Sequence, residues 1–222
     1  PSLSSLPRCC SGLGRYECRP PVDLSNPRLR MLAAALGPAY MRVSGTWANA
    51  TYLPEADEII EDPPEGYNGV LTRGQWKNAV DFSKSVDAKI VTSFAVSTGT
   101  RNEKGEWQTE QAQRFLDYTV ELGGKIAAAE FINEPTMVDL TSAQADYNAA
   151  AYGRDFDRFY DWLRSQSPDT KILGPGSVGE GGSLALLLPF MDINFMASED
   201  MLAASKKTVD GFSYHHYGAL SQ

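Results

Sequence analysis

Apolar residues recur along this chain in two patterns. Short apolar runs alternate with longer stretches in which apolar residues return every three or four positions. The runs at 39–43, 89–96, 126–132, 171–173 and 211–214 read as strands. The periodic stretches read as helices. One opens at Pro27 with Leu29, Leu32 and Leu36 and stops at Gly37-Pro38. A second, 75–86, places Trp76, Ala79, Val80 and Phe82 on one face. A third, 109–122, has Thr109 as N-cap and Glu110 at the positive end of the helix dipole. A fourth, 142–166, stacks Tyr152, Phe156, Phe159 and Trp162 at helical spacing, as core packing requires, and 183–204 holds helical material. Segments 53–73, 97–107 and 174–182 read as loops, the last of them Gly-rich.

Strand centres near 41, 92, 130, 172 and 212 with helices between them predict a parallel sheet with crossover helices. The fold class is α/β, and the architecture is a (β/α)₈ TIM barrel. A complete barrel takes about 250 residues, and this chain has 222. The expectation is a barrel truncated after about its sixth strand. Residues 1–26, rich in Ser, Pro, Gly and Cys, form an irregular N-terminal segment, and 27–222 form the incomplete catalytic barrel.

Composition narrows the function. With 42% hydrophobic and 22% charged residues the chain suits a globular domain with a real core. No run approaches the roughly 18 apolar residues that span a bilayer, so no membrane insertion is expected. The N-terminus lacks a basic region followed by an apolar stretch. The net charge of −8 and the absence of a Lys/Arg cluster exclude a nucleic-acid partner. Cys9, Cys10 and Cys18 are odd in number, with no His at metal-ligand spacing. Asn49-Ala50-Thr51 fits the N-glycosylation pattern and reads as a chance occurrence. His215 and His216 are adjacent on a strand and point to opposite faces, so they make no metal site. No metal and no organic cofactor is expected.

The candidate chemistry centres on Phe131-Ile132-Asn133-Glu134-Pro135. Proline at 135 stops the strand and biases Glu134 to an extended backbone. Asn133 and Glu134 then sit at the carboxyl end of a buried strand, the edge where a barrel places its catalytic groups. A Glu flanked by apolar walls there has its pKa raised by desolvation and can serve as a general acid. The other strand ends add Thr46 and Trp47, Ser97 and Thr98, and His215, His216 and Tyr217. Carboxylate, amide, imidazole, hydroxyl and aromatic groups together suit a sugar.

Three segments resemble the heparanase and β-glucuronidase family of retaining (β/α)₈ glycoside hydrolases. They are the run from Arg28 through Tyr40-Met41-Arg42-Val43-Ser44-Gly45-Thr46, the Phe131–Pro135 strand end and Tyr214-His215-His216-Tyr217. The resemblance covers roughly 20–222, and Trp47-Ala48-Asn49 looks closer to the microbial β-glucuronidases. It implies a β-glucuronidase acting on a carbohydrate substrate containing glucuronic acid. In that reading Glu134 is the catalytic acid/base and Asn133 binds the sugar 2-hydroxyl. Thr46, His215 and Tyr217 bind substrate. The substrate type implies a secreted or periplasmic setting.

Such an enzyme needs a second carboxylate about 5 Å from the first. The family supplies it from a later strand, which leaves it to a missing C-terminal portion or a partner chain. Glu180 and Glu199 are poor substitutes, one on a different strand end and one in helical sequence. Two alternatives stand beside this reading. One is a catalytically incomplete sugar-binding barrel fragment. The other is an NAD-linked oxidoreductase, because Gly174-Pro175-Gly176-Ser177-Val178-Gly179 matches the dinucleotide pattern G-x-G-x-x-G.

Overall fold

The structure is a computed structural model describing residues 22–180 and 194–216. Helix α1 (Pro27–Ala34) starts where expected: Pro27 fills the first turn, and the Asn26 side chain accepts from the backbone N–H of Arg28 and Leu29. Strand β1 (Ala39–Val43) follows, then a 3₁₀ turn at Thr46–Ala50. Two short strands, β2 (Thr51–Tyr52) and β3 (Gly69–Val70), pair in parallel as a separate small sheet, and β3 falls within the segment 53–73 read as loop. Helix α2 (Arg73–Ser85) begins two residues earlier than its apolar periodicity indicates. Thr72 and Gln75 form a reciprocal capping box that satisfies two otherwise unpaired N–H groups.

The remaining core elements alternate as the periodicity predicts. They are β4 (Ala88–Ser93), α3 (Glu110–Glu121), β5 (Ile126–Glu130), α4 (Ala149–Gln166), β6 (Lys171–Val178), α5 (Ser198–Ala204) and β7 (Gly211–His215). Helix α4 starts at Ala149 rather than 142, because the Asn148 side chain accepts from Ala151 N–H and fixes the first turn there. Thr109 precedes α3 but makes no side-chain cap. Of the helical material expected over 183–204, α5 is the part within the described residues; 181–193 lie outside them.

The main sheet runs in the order β1-β4-β5-β6-β7, with every pair parallel. That order is monotonic along the chain. A doubly wound dinucleotide fold reverses its strand order at a switch point, whereas a barrel adds each strand beside the last. The fold is therefore α/β, with the topology of part of a (β/α)₈ barrel. The reading of 174–179 as a loop needs correction. Gly174 to Val178 belong to β6, and a bulge at Gly176 interrupts the pairing with β7. The dinucleotide pattern thus lies largely inside a strand, from Gly174 to Val178, and not in a turn that follows the strand end, where the phosphate-binding fingerprint sits.

The core lies between the sheet and its helices. Phe94, Phe131, Phe156, Phe159, Trp107 and Trp162 interlock there. Phe131 stacks on Phe159 with ring centroids 5.0 Å apart, and Trp107 meets Phe131 edge-on at 5.2 Å. These aromatics clamp the segment just after β5, where the candidate residues stand. A smaller cluster of Leu53, Trp76, Val80, Ile90 and Tyr118 seats α2. Among the described residues, no helix is long and apolar enough to cross a membrane.

Candidate active site

Because the five strands are parallel, their carboxyl ends share one edge. Arg42 stands one residue from the end of β1, Glu130 ends β5, and His215 ends β7. Asn133 and Glu134 follow β5 by three and four residues. Arg42 alternates with Met41 and Val43, which pack toward α2, so the strand pleat turns its guanidinium to the other face.

Arg42 is the hub on that face. Its Nη2 donates to Glu130 Oε2 at 2.6 Å and to Asn133 Oδ1 at 2.9 Å, and lies 3.2 Å from His215 Nε2. The other His215 nitrogen, Nδ1, is 3.0 Å from Glu134 Oε1. Nε2 is also 3.5 Å from Glu130 Oε1. One imidazole therefore spans two carboxylates, and one guanidinium spans Glu130 and Asn133.

The electrostatics follow from this packing. Burial alone would raise the Glu130 carboxyl, which is 3% exposed, but hydrogen bonds from His215 and Arg42 overcome it and hold the pKa down to about 2. Glu130 and then Glu134 push His215 up to about 9, against the opposing effect of burial. Both groups tie stability to pH. Glu130 stabilises the fold at pH above its ordinary value of 4.5, and that contribution is lost as pH falls through about 2. His215 contributes fully below 6.5, and its share is lost as pH rises through about 9. The thermal midpoint should therefore be highest near pH 5–6 and fall on both sides. His215→Gln should flatten the alkaline side, measured by thermal unfolding across pH; an alkaline slope equal to that of the parent would contradict this account.

The backbone that presents Glu134 differs from the expected one. Glu134 has a φ of +53°, in the left-handed region, rather than an extended conformation. The strand has already ended at Glu130, and a chain of bends carries 131–134 past it. Glu134 N–H donates to Gly176 O across to β6 at 3.1 Å, and Glu134 O accepts from Met137 N–H. Beyond the proline, Thr136 Oγ1 donates to Val178 O and accepts from Val178 N–H, which fastens the turn to the end of β6. These bonds outweigh the extended bias of a residue before proline, and such a backbone costs on the order of 1–3 kcal/mol. Gly176 permits the close approach. It too has a positive φ, and a Cβ there would lie 3.0 Å from Ile132 O and 3.4 Å from the Glu130 carboxyl.

Asn49 secures the same segment from the other side. Its amide donates to Asn133 O at 2.9 Å and accepts from Asn133 N–H at 3.0 Å, so the side chain pairs with the peptide as a strand would. Its own carbonyl accepts from Val96 and Ser97 N–H. Asn49 is wholly buried, so its amide is closed to glycosylation in the folded chain.

The structure brings Asn133, Glu134 and His215 together. Thr46 sits at the rim of the same edge, exposed, at the start of the 3₁₀ turn, and the described hydrogen bonds of Arg42, Asn133 and His215 do not reach it. Tyr217 lies outside the described residues, as do Cys9, Cys10 and Cys18. Glu180 is committed elsewhere: its carboxylate accepts from the backbone N–H and the hydroxyl of Ser198 at the start of α5. Glu199 lies in the first turn of α5 and is exposed. Sequence reasoning gave no role to Arg42, Glu130 or Asn49. The available signal was a charge of opposite sign near the carboxyl end of each of two otherwise apolar strands.

No family model matches the chain. It is 26% identical to heparanase of Mus musculus over an alignment of 240 positions that covers 87% of this chain. Over 238 residues it is 24% identical to heparanase of Rattus norvegicus. The chain resembles heparanase. It spans 42% of the length of each of these heparanases. Among solved structures it is similar to the endo-1,4-beta-mannanase from Rhizomucor miehei, with 15% identity, a TM-score of 0.47, and 88% of this chain and 64% of that chain covered. The heparanase alignment extends over most of the chain and agrees with the resemblance seen in the three sequence segments.

Proposed function

We propose that this chain is part of a glycoside hydrolase and carries its acid/base carboxyl, Glu134. The observation that supports this most directly is the Asn133-Glu134 pair just beyond a parallel strand end, with Glu134 against His215 and Asn133 against Arg42. The heparanase similarity supports the same class. The finer reading is a retaining β-glucuronidase acting on glucuronic-acid-containing glycans. Glu134 protonates the departing glycosidic oxygen and then deprotonates the water that resolves the glycosyl-enzyme. Arg42 occupies Asn133 Oδ1, which orients the amide nitrogen to donate to the sugar 2-hydroxyl.

The second carboxylate of this mechanism is assigned to chain outside the described residues or to a partner. Glu130 does not fit that role. It is 3% exposed, and both of its oxygens face the cations Arg42 and His215. The test is release of nitrophenol from an aryl β-D-glucuronide, by the 222-residue chain and by a form lengthened to complete the barrel. Activity in the lengthened form supports the reading. Activity in neither form overturns the β-glucuronidase assignment and favours a sugar-binding role.

A further inference from the structure

We propose that Glu130 is a positioning residue for the acid/base site: its buried carboxylate faces Arg42 through one oxygen and the His215 ring through the other, and through these partners fixes Asn133 and Glu134. The proposal deepens the glycoside hydrolase reading and rests on it for its meaning in catalysis.

The donor hydrogens of Arg42 and the facing carboxylate bear together on the protonation state of His215. Arg42 Nη2 carries two hydrogens. Glu130 Oε2 at 2.6 Å takes one and Asn133 Oδ1 at 2.9 Å takes the other. His215 Nε2, 3.2 Å away, can share one of these hydrogens only as an unprotonated acceptor in a bifurcated bond. Below its raised titration point of about 9 the ring instead carries a proton on Nε2, which faces Glu130 Oε1 at 3.5 Å, an ion-pair contact rather than a tight hydrogen bond. Nδ1 donates to Glu134 Oε1 at 3.0 Å. With both nitrogens protonated the ring is an imidazolium, in line with its raised titration point.

Glu130 is what makes that state tolerable. Without its charge, two cations would stand 3.2 Å apart. Among the described residues, the charged and titratable groups facing the ring are Arg42 from β1, Glu130 from β5 and Glu134 from the turn beyond β5. Strand β6, between β5 and β7, has no titratable residue from Ile172 to Val178. No other group among these elements can take over the role of Glu130.

The catalytic consequence is a division of labour between two carboxyls four residues apart. Glu130 stays ionised and holds the frame. An imidazolium cannot accept a proton from Glu134, so the proton that Glu134 exchanges goes to and from substrate and water. A neutral imidazole in the same place would offer a competing base at 3.0 Å.

The chain contains two histidines, which makes the test direct. The ring nitrogens and carbons of His215 and the exposed His216 are titrated by NMR in the 222-residue chain, in Glu130→Gln and in Glu130→Asp. His215 is expected to titrate near 9 in the parent and to fall by about one pH unit or more in Glu130→Gln, with its signals assigned separately from those of His216. Glu130→Asp should give an intermediate value. A parent His215 in the ordinary histidine range overturns the proposal, as does an unchanged midpoint in Glu130→Gln. If Glu130→Gln does not fold, the parent and Glu130→Asp titrations decide. The ring titration is independent of turnover. An ordinary His215 midpoint in a chain whose completed form hydrolyses the aryl glucuronide rejects the positioning role alone. A raised, Glu130-dependent midpoint with no hydrolysis rejects the glucuronidase reading and leaves the charge arrangement standing.

Discussion

Glu134→Gln, in a hydrolytically active form of the protein, is expected to lower turnover of glycosides with poor leaving groups by about 10²–10⁴-fold, the usual contribution of a positioned general acid/base. The amide keeps the shape of the carboxyl and can still meet the His215 ring, but it can neither deliver nor take up the proton. A sugar leaving group departs as an alkoxide unless protonated, so it suffers the full loss. An activated aryl glycoside departs without a proton, so its first step is largely spared. Its second step still needs a base for water, and the glycosyl-enzyme should accumulate. A small anion such as azide needs no base and should restore turnover. Comparison of the two substrate classes with and without azide checks the assignment. Equal, small losses on both would place Glu134 outside the chemistry. Because Glu134 stands on a left-handed backbone anchored to Gly176 O, its placement should survive the substitution. The rate loss then reports on the proton and not on the fold.

Much of the framework behind that prediction is legible in the chain. The strand at 39–43 and the helix opening at Pro27 appear at the expected positions because local signals agree: an apolar run bounded by Gly37-Pro38 and Ser44-Gly45, and a proline after an Asn cap. The parallel alternation is equally plain, since each strand is followed by a periodic helix. What sequence could not supply is anything set by contact between strands. The run Gly174-Pro175-Gly176-Ser177 looks like a loop because glycine and proline break local structure. Pairing with β7 and the space needed beside Glu130 make it strand. Glu130 looked like an inner residue of the alanine-rich strand 126–132, and its meaning comes from Arg42, 88 residues earlier. Asn49 looked like part of a glycosylation pattern, and its partner is the peptide of Asn133, 84 residues later. The candidate pair was visible because Asn-Glu-Pro is local; the groups that hold it were hidden because ion pairs between parallel strands have no local signature.

Arg42→Met is expected to destabilise the folded chain by about 3 kcal/mol, the low end for breaking a buried ion pair. The low end applies because the Arg42 side chain is 36% exposed while Glu130 is 3% exposed. What remains after the substitution is a carboxylate that cannot return to water, with His215 as its nearest cation at 3.5 Å. For a domain of this size the thermal midpoint should fall by roughly 6–12 °C. The penalty should shrink toward acid. In the variant, burial is no longer offset by Arg42, so Glu130 takes up its proton at higher pH in the folded chain, and the strain is relieved as pH falls. Pairing Arg42→Met with Glu130→Gln removes the orphaned charge as well as its partner. The double variant should recover part of the loss, and a thermodynamic cycle measured by chemical denaturation gives the coupling between the two. Simple additivity would mean that the two side chains are neighbours without being partners, and the central contact of the site would have to be sought elsewhere.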